Sequence, residues 1–272
     1  MKVILPGYKA TQKIITACSY LVDKYLGKDF DVRFVNIGPW KGKLYCGSYD
    51  DMGGVGPSPE EWMKGLISYL KNLDDRFIVW GSDEFFLSRP VDLKMYERLF
   101  DYLKSDSRIS CAKLCVSNFH KPSEYEMLDE DVFMLNSTAQ YSTVVQYAIW
   151  KREDLIHFLE LSSTPWDFER DGSQRFNSSG KKSIASLKAP FVYPTRTATS
   201  GTHPGKVSVL GNKNVDVDFL IKQGHLKEDE LIMGLWPGAS LSYKDGKKDH
   251  YACLKGSPDE EYSRTELALC LS

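Results

Sequence analysis

An α/β fold built on a central, mostly parallel sheet is predicted for this chain, and three observations predict it. β-Branched and aromatic runs recur at residues 3–5, 31–37 and 77–80. Between them lie segments whose apolar residues keep helical spacing, and strand–helix–strand alternation of this kind implies parallel strands. With 272 residues, 42% of them hydrophobic and 12% aromatic, the chain can bury a substantial core.

The elements follow in order. Residues 3–5 form a short strand that breaks at Pro6-Gly7. From residue 10 to 25, Ile14, Ile15, Cys18, Leu21, Val22 and Tyr25 mark one buried helical face. Residues 31–37 (DVRFVNI) alternate as a second strand, and residues 38–59, rich in Gly, Pro, Asp and Tyr, read as a long loop. Ser58-Pro59-Glu60-Glu61 supplies an N-cap, a first-turn proline and early acids for a helix over 62–73. Further on, a helix is expected over 93–103, strands over 109–116, 129–135 and 142–150, and a helix over 151–161. The polar, Gly/Ser-rich stretch 170–188 reads as a mobile loop. No repeat or composition shift marks a boundary, so one domain with an irregular C-terminal third is expected.

Composition excludes little else. The net charge of −2 gives no bulk reason to expect nucleic acid or an anionic membrane as partner. Residues 1–25 lack the apolar core and cleavage site of a signal peptide, and no apolar run is long enough to span a bilayer. Six cysteines (Cys18, Cys46, Cys111, Cys115, Cys253 and Cys270) match no zinc module. Reduced thiols in a cytoplasmic protein are the simplest expectation.

The stretch FIVWGSDEFFLSRPVD, residues 77–92, carries a buried-strand pattern straight into Ser82-Asp83-Glu84. Its two acids then sit at the strand's carboxyl end, where ligands bind in open α/β sheets. A surface turn with acids facing water would have the same composition.

Taken with the Pro-Gly-Tyr break, the helix from Trp62, the segment YSTVVQYAIWKREDLIHFLELSSTPWDFE (141–169) and its Pro165-Trp166-Asp167-Phe168-Glu169 motif, this stretch carries a likeness. The chain resembles small microbial and viral glycosyltransferases of the GT-A type, a nucleotide-sugar-binding, Rossmann-like α/β fold. The resemblance covers residues 2–169 well and the C-terminal third loosely. It implies one domain over 1–272, with a donor-binding part to about residue 117 and an acceptor and catalytic part from about residue 118.

It also implies a site. A sugar nucleotide's diphosphate must be neutralised as it departs, and a hard divalent ion, Mn2+ or Mg2+, does so through carboxylate and phosphate oxygens. By resemblance Asp83 and Glu84 stand where these enzymes carry Asp-x-Asp and would hold that ion; the departure is Ser82, where an acid is usual. Gly7, Tyr8, Asn36, Ser82 and Lys206 would meet the nucleotide-sugar donor, expected to be a UDP-sugar. Glu169 or Asp167 would be the general base for the acceptor hydroxyl. Local helix capping is the other reading of that acid pair. Lys151 and Arg152 are weaker phosphate candidates, and His203 a weaker metal candidate. The acceptor is a saccharide or a hydroxylated DNA base, the latter requiring Lys181, Lys182, Lys188, Arg196, Lys206 and Lys213 to form a basic track. A nucleotidyltransferase of related fold and a non-catalytic carbohydrate- or protein-binding module are the rival functions.

Overall fold

The computed structural model describes residues 1–53, 55–56, 58–115, 120–191, 195–199, 207–209, 217–227 and 231–233. Strand β1 (Lys2–Pro6) lies inside a nine-stranded sheet. It pairs in parallel with β2 (Asp31–Asn36) on one side and β4 (Phe77–Trp80) on the other. Beyond β2 lies β3 (Ser48–Asp51), also parallel.

Past β4 the direction reverses. β9 (Ala148–Lys151) is antiparallel to β4 and to β6 (Ile109–Lys113), so it separates these two strands. The sheet continues through β10 (Lys182–Ser186), β8 (Val132–Leu135) and β7 (Tyr125–Met127). Only β8 and β9 run against the rest. A smaller sheet joins β5 (Phe85–Phe86), β11 (Thr195–Thr199), β12 (Val207–Val209) and β13 (Leu231–Met233).

Alternation along the central strands builds two cores. Val3, Leu5, Val79 and Ile149 point into one cluster, with Ile15, Cys18, Leu21 and Val22 of α1 (Ile15–Tyr25) and Met95 and Leu99 of α3 (Leu93–Ser105). Ile4, Ile78, Trp80 and Trp150 point into the other, with Trp62, Met63, Leu66 and Leu70 of α2 (Pro59–Lys71) and Leu155 and Phe158 of α4 (Arg152–Glu160). The near-continuous apolar strands therefore reflect a sheet covered on both faces. The cap predicted at Ser58 forms, its Oγ accepting the Glu61 N–H at 3.2 Å, and Asp92 Oδ1 likewise caps α3 by accepting the Met95 N–H at 3.1 Å. Between β1 and α1 a 3-10 turn, Lys9–Ile14, begins the first helical segment.

Several expectations need correction. The long loop after β2 contains β3, whose short SYDD sequence is too polar to read as a strand but pairs with β2 over Arg33 to Asn36. Of the strand expected over 142–150, only its end is β9. The stretch 170–188 is no loop: it forms helix α6 (Asp171–Ser178) and strand β10. Its polarity misleads because Ser173, Ser183 and Ser186 are buried in hydrogen bonds. Ser173 Oγ donates to the Glu169 carbonyl at 2.7 Å, and Ser183 Oγ to that of Ser142 at 2.6 Å. Among the described residues no helix is long and apolar enough to cross a membrane, and Cys18, Cys46, Cys111 and Cys115 are free thiols.

Candidate functional site

Three parallel strands, β1, β2 and β4, end at the same edge of the sheet, and the backbone there is stitched together. Gly7 N–H donates to the Val35 carbonyl at 2.9 Å, and Gly81 N–H to that of Ile4 at 3.0 Å. The chain leaving β4 then folds its acids over the end of β1. Asp83 is 1% exposed. Its Oδ2 accepts the Thr11 hydroxyl at 2.6 Å and Asn36 Nδ2 at 3.4 Å.

Room for that carboxylate exists only because residue 7 has no side chain. A Cβ on Gly7 would stand 1.9 Å from Asp83 Oδ2 and 2.5 Å from Thr11 Oγ1. The other Asp83 oxygen, Oδ1, is buried without a hydrogen-bond partner among the described residues. Burial pushes the Asp83 carboxyl well above the usual range; the Thr11 and Asn36 hydrogen bonds oppose this, and the Glu84 charge reinforces it.

Tyr8 follows Gly7, and its N–H donates to the Thr11 hydroxyl at 2.9 Å. Its ring stacks on Trp62, centroids 4.8 Å apart, and the Trp62 indole donates to the Gly7 carbonyl at 2.9 Å. Burial raises the Tyr8 hydroxyl pKa, and the charges of Glu84, Asp83 and Glu169 raise it further. Carboxylates from the β4 turn and from α5 (Pro165–Glu169) therefore bear on one phenol. Glu84 and Ser82 are half-buried, and Ser82 Oγ accepts the Glu84 N–H at 3.2 Å. Glu169, also half-buried, is oriented through Oε1, which accepts the Val145 N–H at 3.0 Å.

The other expected site residues are placed differently. Asn36 is wholly buried, with Oδ1 accepting the Ile37 N–H at 2.7 Å, so it orders Asp83 from behind. Asp167 is engaged locally: Oδ2 accepts the Ser163 N–H at 2.7 Å and Oδ1 pairs with Arg175 at 2.8 Å, the capping arrangement that its sequence position also allowed. Phe168 is core, whereas Trp166 is 53% exposed. Lys151 and Arg152 lie at the opposite end of β4, beside Phe77, where they donate to carbonyls of Asp106, Ser107 and Leu70. His203, Lys206 and Lys213 lie outside the described residues, as does the Arg196 side chain.

A buried group absent from the sequence expectations backs this end of the sheet. Lys113, 1% exposed at the end of β6, donates to the Tyr141 carbonyl and lies 3.1 Å from His120 Nε2. Burial draws the ammonium pKa down to about 8 and, together with the Lys113 charge, holds His120 at about 2, so the imidazole is neutral. From about pH 8 to the unfolded lysine value, the unfolded chain keeps a proton that the folded protein has released. Stability therefore rises with pH across that window. Between pH 7.5 and 9.5 the unfolding free energy of the parent should rise by about 2 kcal/mol relative to Lys113→Met. Denaturant titrations at the two pH values measure it, and parallel pH profiles would refute it.

The acids also bear on metal binding. Among the described residues no group of three His, Cys, Asp or Glu side chains could hold an ion. Mg2+ and Mn2+ at nucleotide sites, however, need only one or two carboxylates beside phosphate oxygens and waters. The half-buried Glu84, backed by Asp83 with its unpartnered buried oxygen, fits that smaller requirement.

No protein-family model and no curated protein sequence matches the chain. Among solved structures, S. aureus TarS is similar at 18% identity over 71% of this chain, with a TM-score of 0.42; the chain spans only 35% of TarS. An apo-UDP-glucose pyrophosphorylase is similar at 11% identity over 71% of this chain and 90% of its own, TM-score 0.42. Glucosyl-3-phosphoglycerate synthase from Mycobacterium tuberculosis, in complex with Mn2+ and UDP-glucose, is similar at 12% identity over 72% of this chain and 71% of its own, TM-score 0.38. At such identities and scores the chemistry of this chain has to be read from its own residues.

Proposed function

We propose that this chain is a glycosyltransferase that moves one sugar from a nucleotide-sugar donor, a UDP-sugar, to an acceptor hydroxyl. One observation carries the reading. At the carboxyl ends of the parallel strands the turn after β4 lays Asp83 against Gly7 and Thr11, the residues that flank and anchor Tyr8. Beyond burial, the charges of Glu84 beside it and of Glu169 on α5 both raise the Tyr8 hydroxyl pKa.

Each group has a task in that reaction. The Tyr8 ring, braced on Trp62, offers a flat face to the nucleotide base. Glu84 is the carboxylate placed for a divalent ion, which when bound supplies charge to the departing diphosphate. Asp83, held by Thr11 and Asn36, fixes the turn that presents Ser82 and Glu84. Glu169 takes the acceptor's proton as its oxygen bonds to the anomeric carbon and the bond to the diphosphate breaks. A single displacement of this kind inverts the anomeric centre.

Calorimetric titration with UDP, GDP, CMP and TDP, with and without Mn2+, tests the reading. Metal-dependent binding of UDP is expected, weakened about tenfold or more by Glu84→Ala. If no nucleotide binds under either condition, the proposal fails. Pyrophosphate-dependent breakdown of the donor, instead of sugar transfer with UDP release, would identify the nucleotidyltransferase alternative.

A further inference from the structure

We propose that the acceptor is a neutral saccharide, seated in the cleft between residues 137–141 and helices α5 and α6, with Trp166 as a stacking platform at its rim. This rests on the glycosyltransferase reading and adds the acceptor class to it. The cleft encloses about 500 Å³, and its walls include Thr138, Gln140, Tyr141, Glu169, Gln174 and Asn177. Hydroxyls and amides both donate and accept, which is what a ring of sugar hydroxyls requires. Glu169 stands in the wall, so a hydroxyl bound there lies beside the base.

The cleft is also built in advance. Asn177 Nδ2 reaches across it to donate to the Ala139 carbonyl at 2.8 Å. Tyr141 holds a φ of 51°, strained for a non-glycine residue, and Lys113 grips its carbonyl from the core. Such bonds fix the wall before a ligand arrives, which lowers the entropy lost on binding. Trp166 precedes Glu169 by three residues on α5, so its exposed ring shares that residue's face. A flat apolar ring beside a hydroxyl-rich cleft suits the C–H face of a pyranose.

Charge argues against a polynucleotide. Glu169 and Asp171 line the cleft against a single cation, Arg170. Of the lysines that a phosphate track would need, Lys181 pairs with Asp154 at 3.1 Å and Lys188 with Asp131 at 3.0 Å. A nucleic-acid backbone requires a surplus of positive charge along its path.

The test uses the full chain with UDP and Mn2+, applied to an array of neutral glycans and to single- and double-stranded DNA containing 5-hydroxymethylcytosine. Retention on a subset of glycans is expected, reduced about tenfold or more by Trp166→Ala and by Gln174→Ala. Both side chains are exposed, and thermal melting verifies that each variant folds. Binding to the hydroxylated DNA alone, retention on no glycan, or glycan retention indifferent to both substitutions would overturn the inference. Glycan retention lost in the variants, in a parent that binds no UDP, would support the cleft and sink the transferase reading beneath it.

Discussion

Glu169→Gln should slow sugar transfer by about 10²- to 10⁴-fold while nucleotide binding persists, the effect expected when a general base is lost. Glutamine keeps an Oε1 that can accept the Val145 N–H, so the segment remains anchored. What disappears is the ability to take a proton. Asp167→Asn is the matched comparison, because that carboxylate is engaged with Ser163 and Arg175. Its substitution should lower stability by about 1 kcal/mol and leave kcat within a few fold. UDP release with an acceptor identified on the glycan array separates the two. A larger loss of kcat in Asp167→Asn than in Glu169→Gln would exchange their roles.

Gly7→Ala is the second large effect. The added methyl would fall 1.9 Å from a carboxylate oxygen that is itself held by Thr11 and Asn36 in a buried pocket. Asp83 has to move, and its shortest hydrogen bond breaks with it. Overpacking together with the lost bond should destabilise the protein by about 2–4 kcal/mol. Donor affinity should fall as well, since the acid turn shifts. The decisive measurement is a double-mutant cycle with Asp83→Ala, in which the Gly7→Ala penalty should shrink, the contact with Thr11 Oγ1 at 2.5 Å accounting for what remains. An equal penalty in both backgrounds would show that the clash is not with Asp83.

Strong periodicity made much of the architecture legible in the sequence. Strands β1, β2 and β4, helices α1 to α4 and the cap at Ser58 all follow from apolar spacing and capping residues. Elements with little apolar content escaped. β3 is SYDD, and β10 shows only Ile184 and Ala185 among serines whose burial becomes evident once their bonding partners are seen.

At the site, the acids after β4 drew notice as carboxylates at the end of an apolar strand, whereas the roles given to Asp83, Glu84 and to Glu169 or Asp167 came from the resemblance, and capping explained the last pair equally well. Their orientation could not be foreseen. Asn36 faces inward because Ile37 and Asp83 both claim its amide. Lys113 gave no signal, since ISCAK reads as a strand whose lysine emerges into water, whereas it ends buried against Tyr141. Thr11 had a weak one: a hydroxyl residue three positions after the Tyr of the Pro-Gly-Tyr break.

The reversed strand β9 also has a bearing on synthesis. β4 cannot acquire its second neighbour until β9 has been made, about 70 residues later in the chain. At ribosomal speeds of about 5–20 residues per second, that interval is roughly 4–14 s. Throughout it, the growing polypeptide displays an apolar strand edge carrying Ile78, Val79 and Trp80, a template for pairing with any other nascent chain. No shortened version ending near residue 117 escapes the problem, because β4 and β6 would then flank a gap that only β9 fills. The segments on either side of residue 117 are thus one folding unit, and soluble production of the protein should depend on shielding that edge until the late strand arrives.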